Sequence, residues 1–419
     1  MNARRVRVPS LLEDPGIRRV RTPERRFLFA VPPLGAVTAN SNVTANSNVT
    51  ANNAVAAELT RRGHKVAWTG HRASLEPRIR PGSRLYSAVE EDFERRLHGL
   101  HGDWLNLRGL AALRFLWEDL LVPLGHAMLP GVEKAIDRFR PDVVIADQLA
   151  LAAPVAARRR EIPWATSATT SAEFTRPLAA FPRVEEWVRE RIADLQLDHG
   201  VDDLLDLRFS DHLVLVFSAA GLIGDTSFFP GHFAFVGPVP GRPAPRAFPW
   251  DDLDGRPAVL VTLAAPDGPG RDRFFRVAAE AVRGLDVQAV VETDPGALPD
   301  PPPNVLVREQ VPRHKLLERV SAVVCDGAHD TVCASLAQGV PLVVAPLRDD
   351  QPVIAGQVEA AGAGVSVRHA RTRADELRTA LTTVLTEDGP HRAAAERVAA
   401  DMASAGGAAE AADRLEKLT

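Results

Sequence analysis

Short apolar runs alternate with amphipathic helical patterns along most of the chain, and this alternation restricts the fold more than any other feature. In the first half, FLFAVPP, KVAWTG, PDVVIAD and PWATSA are typical of buried strands, and AVAAELTRRGH between the first two is typical of a helix. In the second half, AVLVTL, QAVVET, NVLVRE, SAVVCD and PLVVAP repeat the arrangement. Strands that alternate with helices form parallel sheets with helices on both faces. The sequence therefore predicts two doubly wound α/β domains.

A stretch rich in proline and glycine, VGPVPGRPAPRAFPWDDLDGRPA, separates the two halves. Periodic patterns stop there and restart after it, which is typical of a linker between domains. We therefore assign residues 27–240 to an N-terminal domain, 241–257 to the linker and 258–405 to a C-terminal domain.

The two ends of the chain differ from these domains. Residues 1–26 carry eight arginines and few large apolar residues, so we expect a disordered extension. The start, MNARRVRVPS, is basic, but no apolar stretch of signal-peptide length follows it, and we expect a cytoplasmic protein. The Ala-rich tail from Arg371 is long enough for three helices, with residues 406–419 as the C-terminal helix. We expect this tail to cross back and brace the first domain.

The composition argues against several classes of partner. Charged residues make up 25% of the chain and the net charge is -4, which gives no reason to expect nucleic acid. No apolar run reaches the length of a membrane span, so we expect no membrane partner. The two cysteines, Cys325 and Cys333, are expected to be buried thiols rather than a disulfide. The composition leaves a homodimer open.

The hexapeptide TANSNV occurs at 38–43 and again at 44–49. Without both copies the chain would read GAVTANNAVAAEL, a normal connection from strand to helix, so we interpret the repeat as an insertion after the first strand. Its Asn, Ser and Thr residues predict a loop outside the core. At the carboxyl edge of a parallel sheet, such a loop is either a lid over a ligand cleft or a passive insertion.

Residues 311–365, VPRHKLLERVSAVVCDGAHDTVCASLAQGVPLVVAPLRDDQPVIAGQVEAAGAGV, closely resemble the nucleotide-diphosphate-sugar motif of the glycosyltransferases that act on antibiotics, macrolides and plant metabolites. VPPLGAV, PDVVIADQLALAAPVAA and FVGPV resemble other parts of that family, so the resemblance covers most of residues 27–405. It implies the GT-B fold, in which two Rossmann-like domains face each other across a cleft. The acceptor would bind on the N-terminal side and the donor on the C-terminal side.

The acceptor side departs from the family at its catalytic base. The resemblance implies a histidine in the first loop, oriented by an aspartate, but Ala36 stands at the histidine position while Asp147 matches the aspartate. Because burial can raise a carboxyl pKa toward neutrality, Asp147 is the candidate catalytic residue. The alternative is that it only caps a helix. Trp104, Phe115 and Trp117 lie in the acceptor-pocket region, where they bind substrate or else pack in the core.

The donor side also lacks residues that the family pattern implies. The resemblance implies that Ala264 and Ala265 replace a Gly-Thr loop end, that Gln310 replaces a base-stacking Trp, and that Arg313 replaces a Gln. Asp326, Asp330 and Ala334 stand where the family has His, Asn and a ribose-binding Glu, while Gly327, Thr331 and the passive His329 follow its pattern. Carboxylates at a helix start cap its N–H groups and repel phosphate, so we expect weak binding of a diphosphate.

Asp350 and Gln351 match a pair that contacts sugar hydroxyls in the family. Asp350 is equally suited to capping the helix that follows it. The carboxylates of Asp326, Asp330 and Asp350 have no spacing typical of a metal site, so we expect neither a metal nor a cofactor.

Three functions are compatible with these patterns. The first is a natural-product pathway enzyme that uses no sugar nucleotide and catalyses a cyclisation, elimination or rearrangement of a small hydrophobic molecule, polyketide-like or aromatic. The second is an inverting glycosyltransferase with an unusual donor or base. The third is a non-catalytic partner of another pathway enzyme. Family residues are replaced on both the acceptor side and the donor side. Because the site rather than the fold determines the reaction, these replacements favour the first function slightly over the second.

Overall fold

The described part of the chain contains two sheets, and all paired strands in each sheet are parallel. The structure, a computed structural model, describes residues 23–34, 44–89, 100, 107–239, 248–264 and 270–419. Ala36, Trp104, Ala265, the first copy of TANSNV and most of the N-terminal extension lie outside these residues.

The first sheet has seven strands: β1 (Arg26–Ala30), β2 (Lys65–Gly70), β3 (Arg84–Ser87), β4 (Val143–Asp147), β5 (Trp164–Ala168), β6 (Leu213–Val216) and β7 (Phe233–Phe235). Their order across the sheet is β3-β2-β1-β4-β5-β6-β7. Every residue of β4 and β5 is buried, as expected of central strands covered on both faces. The sequence patterns predicted β1, β2, β4 and β5, whereas β3, β6 and β7 were missed.

The second sheet has six strands: β8 (Ala258–Thr262), β9 (Gln288–Glu292), β10 (Val305–Arg308), β11 (Val320–Cys325), β12 (Leu342–Val344) and β13 (Gly364–Ser366). Their order is β10-β9-β8-β11-β12-β13. The first five agree with the predicted strands, and only the three-residue β13 was missed. Two doubly wound sheets of this kind confirm the predicted fold class.

Helices connect the strands of both sheets. In the first half they are α1 (Thr44–Arg61), α2 (Arg72–Leu75), α3 (Leu110–Arg114), α4 (Val122–Phe139), α5 (Ala152–Arg158), α6 (Pro182–Asp198) and α7 (Ala220–Ile223). In the second half they are α8 (Arg271–Val282), α9 (Arg313–Leu317), α10 (His329–Leu336), α11 (Gln351–Ala360), α12 (Ala374–Val384), α13 (Pro390–Ser404) and α14 (Gly407–Glu416). Short 3-10 turns occur at Glu173–Thr175, Trp250–Asp252 and Pro295–Ala297.

A π-helical stretch, Phe115–Leu121, joins α3 to α4, so that residues 110–139 are helical throughout. The apolar periodicity predicted a helix here but gave no sign of the wider turn. The segment buries Leu121, Leu124 and Met128 against the first sheet. π-helical turns occur frequently at functional sites, and this one lies in the region expected to bind the acceptor.

The second copy of TANSNV, Thr44–Val49, is the start of α1 rather than a loop. The expectation that the repeat stays outside the core is therefore wrong for its last residue, because Val49 is buried beside Val55 and Leu59. Composition favoured a loop, but helix formation is cooperative and extends from the Ala-rich part of α1 into the polar repeat.

The C-terminal tail forms three helices, α12, α13 and α14, and crosses back onto the first sheet. Ala411 and Leu415 of α14 are buried in the same core as Trp68. The ring of His64 lies 2.7 Å from the carboxylate of Glu416. The predicted brace is therefore present. None of the helices among the described residues is both long and apolar enough to cross a membrane.

Candidate functional site

The carboxyl edges of the two sheets meet, and side chains from each edge contact the other. After β5, the Thr170 hydroxyl donates a hydrogen bond to Oδ2 of Asp350 at 2.6 Å. The next residue, Ser171, donates to Oε1 of Gln357 on α11 at 2.6 Å. Ligands of open α/β sheets bind at carboxyl edges, so the boundary between these two edges is the candidate site.

Asp147, on the acceptor side, is the last residue of β4 and only 1% exposed. Its Oδ1 accepts the backbone N–H of Leu149 at 3.0 Å, while Oδ2 has no hydrogen bond of normal geometry to the described residues. Burial raises the pKa of Asp147 to about 7, although the Leu149 N–H and the nearby Thr169 hydroxyl act in the opposite direction. The side chain thus caps the local turn and also has a pKa suited to proton transfer.

Two side chains beside Asp147 were not identified from the sequence. The amide oxygen of Asn52, from α1, accepts the hydroxyl hydrogen of Ser167 at 2.8 Å, and both residues are buried. Gln148 is 2% exposed, and its Oε1 has no hydrogen bond to the described residues. Polar residues buried at a strand end could have been suspected from ADQ and TSATTS, since polar side chains interrupt otherwise apolar strands there.

The aromatic candidates of the acceptor side are mostly packed inside the first domain. Trp117 is 2% exposed and belongs to the core, and the guanidinium of Arg208 lies 5.7 Å from the centre of its ring. Phe115 is 6% exposed. Their burial agrees with the alternative of core packing, and contact of either ring with a substrate stays a prediction.

On the donor side, the carboxylate of Asp326 binds two backbone N–H groups. Oδ2 accepts the N–H of Ala264, in the loop after β8, at 2.9 Å. Oδ1 accepts the N–H of Ala328 at 3.3 Å. Asp326 is 1% exposed and follows β11, the neighbour of β8. This carboxylate therefore joins two adjacent loops through N–H groups that would otherwise be available to an anion.

Arg313, where the family has a Gln, is held at the same edge by two residues. Its Nε donates to Glu292 at 2.8 Å and its Nη2 to the Thr262 hydroxyl at 3.0 Å. Glu292 in turn accepts the Thr262 hydroxyl hydrogen at 2.8 Å. A fixed guanidinium therefore lies near Asp330. Gln310, at the position of the stacking Trp, is exposed.

The start of α10 holds the remaining donor-motif residues. Oδ1 of Asp330 accepts the N–H of Thr331 at 2.8 Å. Burial raises the pKa of Asp330 to about 6, against the opposing effect of Arg313. Burial also lowers the pKa of His329 to about 4, so the imidazole is neutral at physiological pH. Ala334 is exposed.

Gly327 and the two cysteines lie around the start of α10. Gly327 has φ +88, which a residue with a Cβ rarely adopts. Cys325 and Cys333 are free, buried thiols, as predicted. Among the residues that the structure describes, no group of three or more His, Cys, Asp or Glu side chains has a geometry that could hold a metal ion.

Asp350 and Gln351 both make hydrogen bonds within the protein. Asp350 binds Thr170 across the domain boundary. Oε1 of Gln351 accepts the N–H groups of Leu347 and Arg348, at 2.9 Å and 3.0 Å. The structure therefore brings Asp350, Asp326 and Asp330 to one edge and Asp147 to the facing edge.

The sequence is similar to those of antibiotic-modifying enzymes. Residues 273–418 match the family described as Erythromycin biosynthesis protein CIII-like, C-terminal domain. The chain is 27% identical over 408 residues to 4'-demethylrebeccamycin synthase of Lentzea aerocolonigenes, which covers 87% of this chain and 95% of that protein. It is 28% identical over 397 residues to demethyllactenocin mycarosyltransferase of Streptomyces fradiae, covering 87% and 82%.

Solved structures show the same architecture. The glycosyltransferase of kitacinnamycin superposes with a TM-score of 0.74 at 24% identity, covering 94% of this chain and 99% of that one. The calicheamicin glycosyltransferase CalG4 gives 0.72 at 24% identity, covering 94% and 98%. Two Rossmann-like parallel sheets whose carboxyl edges face each other define the GT-B class, and this chain has that fold.

The chain is therefore similar in sequence to natural-product glycosyltransferases, and it shares the GT-B fold with solved ones. None of these relatives supports the expectation that the chain has left sugar transfer for another reaction or that sugar nucleotides are excluded. They favour the second of the three functions over the first.

Proposed function

We propose that the protein transfers a sugar, with inversion, from a nucleotide-activated donor to a hydroxyl of a small hydrophobic molecule, with Asp147 as the base. The observation that carries this proposal is the Asp147 carboxyl group, which is buried at a strand end, has a pKa of about 7, and has one oxygen without a hydrogen bond of normal geometry to the described residues. A base with this pKa accepts a proton efficiently near neutral pH. Relatives are named as a mycarosyltransferase and as NDP-glycosyltransferases, which supports sugar transfer.

The proposed step conserves atoms and charge. The acceptor oxygen forms a bond to the anomeric carbon of the sugar as the bond from that carbon to the diphosphate breaks. The acceptor proton goes to Oδ2 of Asp147, and the nucleoside diphosphate leaves with the electron pair. Asp147 then returns its proton to solvent.

On the donor side, we expect Asp350 and Gln351 to contact the sugar and cationic side chains to contact the diphosphate. Arg313 is already fixed by Glu292 and Thr262, and a fixed guanidinium binds phosphate well. It offsets the negative charge of the nearby Asp330. The donor site would therefore hold a diphosphate by arginine in place of the imidazole and amide of the family pattern.

A second candidate is a reaction of the same acceptor without a sugar nucleotide, such as a cyclisation, elimination or rearrangement. One observation favours it: Asp326 occupies the backbone N–H of Ala264, where the family binds the diphosphate. A donor that needs this N–H would have to displace a buried carboxylate, which is unfavourable.

One set of experiments separates the candidates. The purified chain is incubated with uridine- and thymidine-diphosphate sugars and a panel of polyketide and aromatic alcohols, and mass spectrometry detects the glycosylated product. Calorimetry with the nucleoside diphosphates should give a micromolar Kd if sugar transfer is correct. No affinity tighter than about 1 mM, roughly -4 kcal/mol, would favour the second candidate. If none of the hydrophobic ligands raises the melting temperature of the chain, the result would instead indicate a non-catalytic partner.

A further inference from the structure

The three residues that follow β5, Thr169, Thr170 and Ser171, contact functional side chains on both sides of the cleft. The hydroxyl of Thr169 lies close enough to Asp147 to lower its pKa. The carbonyl oxygen of Thr169 accepts a hydrogen bond from His329 of α10. Thr170 and Ser171 bind Asp350 and Gln357 at the two positions described above.

The geometry of an extended chain explains how one segment serves both sides. Successive side chains along and just after a strand point in opposite directions, and their Cα atoms are about 3.8 Å apart. The neighbours Thr169 and Thr170 can therefore contact Asp147 in their own domain and Asp350 in the other domain. A single peptide unit therefore separates the contact to Asp147 from the contact to Asp350.

The direction of the Thr170 hydroxyl is fixed by a second hydrogen bond. Its Oγ1 accepts the backbone N–H of Ala172 at 3.3 Å. The hydroxyl proton is thereby left for Oδ2 of Asp350, at 2.6 Å. A short hydrogen bond from a hydroxyl to a carboxylate is stronger than one between neutral groups, and it fixes the rotamer of the acceptor.

We propose that Thr170 is a positioning residue that sets the orientation of Asp350 for the donor sugar, and that with Thr169 it keeps the donor-side and acceptor-side carboxylates in register across the cleft. This inference rests on the proposed function, because it takes Asp350 as a sugar contact. Ser171 and Gln357 add a second hydrogen bond that holds α11 against the same segment.

The decisive variants are Thr170→Val, which removes the hydroxyl at nearly constant shape, and Thr170→Ser, which keeps it. Thr379→Val is the matched control, because its hydroxyl donates to the Asp375 carbonyl oxygen within α12, on an exposed face away from the cleft. We expect Thr170→Val to raise the KM for the sugar donor about tenfold with little change in kcat, since a ground-state contact is lost. Thr170→Ser should stay within about twofold of the parent, because the hydrogen bond to Asp350 is retained.

Thr169→Val gives an independent readout on the acceptor side. Since the Thr169 hydroxyl lowers the pKa of Asp147, its removal should shift the acid limb of the pH–rate profile to higher pH. Thr170→Val should leave that limb unchanged. The positioning role would be overturned if Thr170→Val had the same KM as the parent, or if Thr170→Ser raised the KM as much as Thr170→Val does.

Hydrogen exchange of the ligand-free chain separates failure of this inference from failure of the proposed function. Faster exchange of the α11 amides in Thr170→Val, but not in Thr170→Ser or Thr379→Val, supports the contact whether or not sugars are transferred. Identical exchange in all variants contradicts it. If the contact is supported but the parent transfers no sugar from any donor, the function is wrong, and the assignment of Asp350 to a sugar falls with it.

Discussion

The acceptor-side and donor-side edges of the cleft both place an aspartate at the end of a buried strand, yet the two carboxylates are bound differently. Asp147 accepts one backbone N–H, and its second oxygen has no hydrogen bond of normal geometry to the part of the chain that the structure describes. Asp326 accepts one backbone N–H with each oxygen, from Ala264 and Ala328. Both side chains are 1% exposed, so burial alone does not distinguish them.

This difference shows how hydrogen bonding assigns a role to a buried carboxylate. A carboxylate that satisfies two N–H groups joins loops, and its loss leaves those groups unpaired. Burial raises the pKa of Asp147 to about 7, and its single backbone hydrogen bond offsets this only in part, so it can exchange a proton near neutral pH. We therefore expect the same residue type to be structural at Asp326 and catalytic at Asp147.

The largest expected effect is a pH dependence of stability that comes from Asp147. Its pKa is about 7 in the folded protein, above the unfolded value of about 3.9. Between these values the folded chain holds a proton that the unfolded chain releases, so the free energy of unfolding falls as the pH rises. A difference of about three units corresponds to at most about 4 kcal/mol.

Urea denaturation of the parent and of Asp147→Asn at pH 4, 5.5, 7 and 8 measures this contribution. The parent should lose stability across the range relative to the variant, which carries no titrating group at this position. Parallel curves would show that Asp147 has an ordinary pKa and would contradict its proposed role as the base.

Next in size is the loss of stability in Asp326→Ala. The substitution leaves the buried N–H groups of Ala264 and Ala328 without a partner and should reduce the free energy of unfolding by about 2–4 kcal/mol. The matched variant Asp147→Ala loses the cap on the N–H of Leu149 but also removes a buried carboxyl whose ionisation destabilises the fold at pH 7, so it should lose no more than about 1 kcal/mol. Chemical denaturation compares the two. An equal loss in both variants would contradict the structural role of Asp326.

The third prediction concerns turnover. Asp147→Asn keeps the shape and the cap to Leu149 but cannot accept the acceptor proton, so kcat should fall by about a hundredfold or more without a lower Tm. Product formation by mass spectrometry under saturating acceptor is the measurement. Unchanged turnover would remove Asp147 as the base and direct attention to Asp326, Asp330 and Asp350.

The smallest expected effect compares one glycine from each half. Gly327 and Gly63 both have positive φ, but a Cβ on Gly327 would lie 2.8 Å from Cγ1 of Val344, whereas none of the described atoms lies within 4 Å of a Cβ on Gly63. Substitution by Ala should cost about 1–2 kcal/mol at either site from backbone strain, and about 1 kcal/mol more at Gly327 from crowding. Thermal unfolding of both variants tests this difference, and equal Tm changes would contradict the tight packing of the donor-side loop.

Local patterns predicted most strands of the second sheet. Five strands of the second sheet were predicted because their apolar runs are continuous and flanked by turn residues. The strand Gly364–Ser366 was missed because three residues carry no readable period. The repeat was wrongly assigned as loop up to Val49, since its composition is polar while its position at the start of a long helix is not a local property.

The sequence by itself determined the doubly wound class, the position of Asp147 at a strand end and the aspartates at the start of α10, because strand periodicity and helix starts are local properties of a chain. Only the tertiary structure decided which partners these carboxylates have. Thr170 and Asp350 are 180 positions apart, and Ala264 and Asp326 are 62 apart, so no local pattern could pair them. The physical reason is that a hydrogen bond across a cleft or between neighbouring strands depends on how the two domains pack, and that packing is set by the summed burial of many side chains rather than by any short segment.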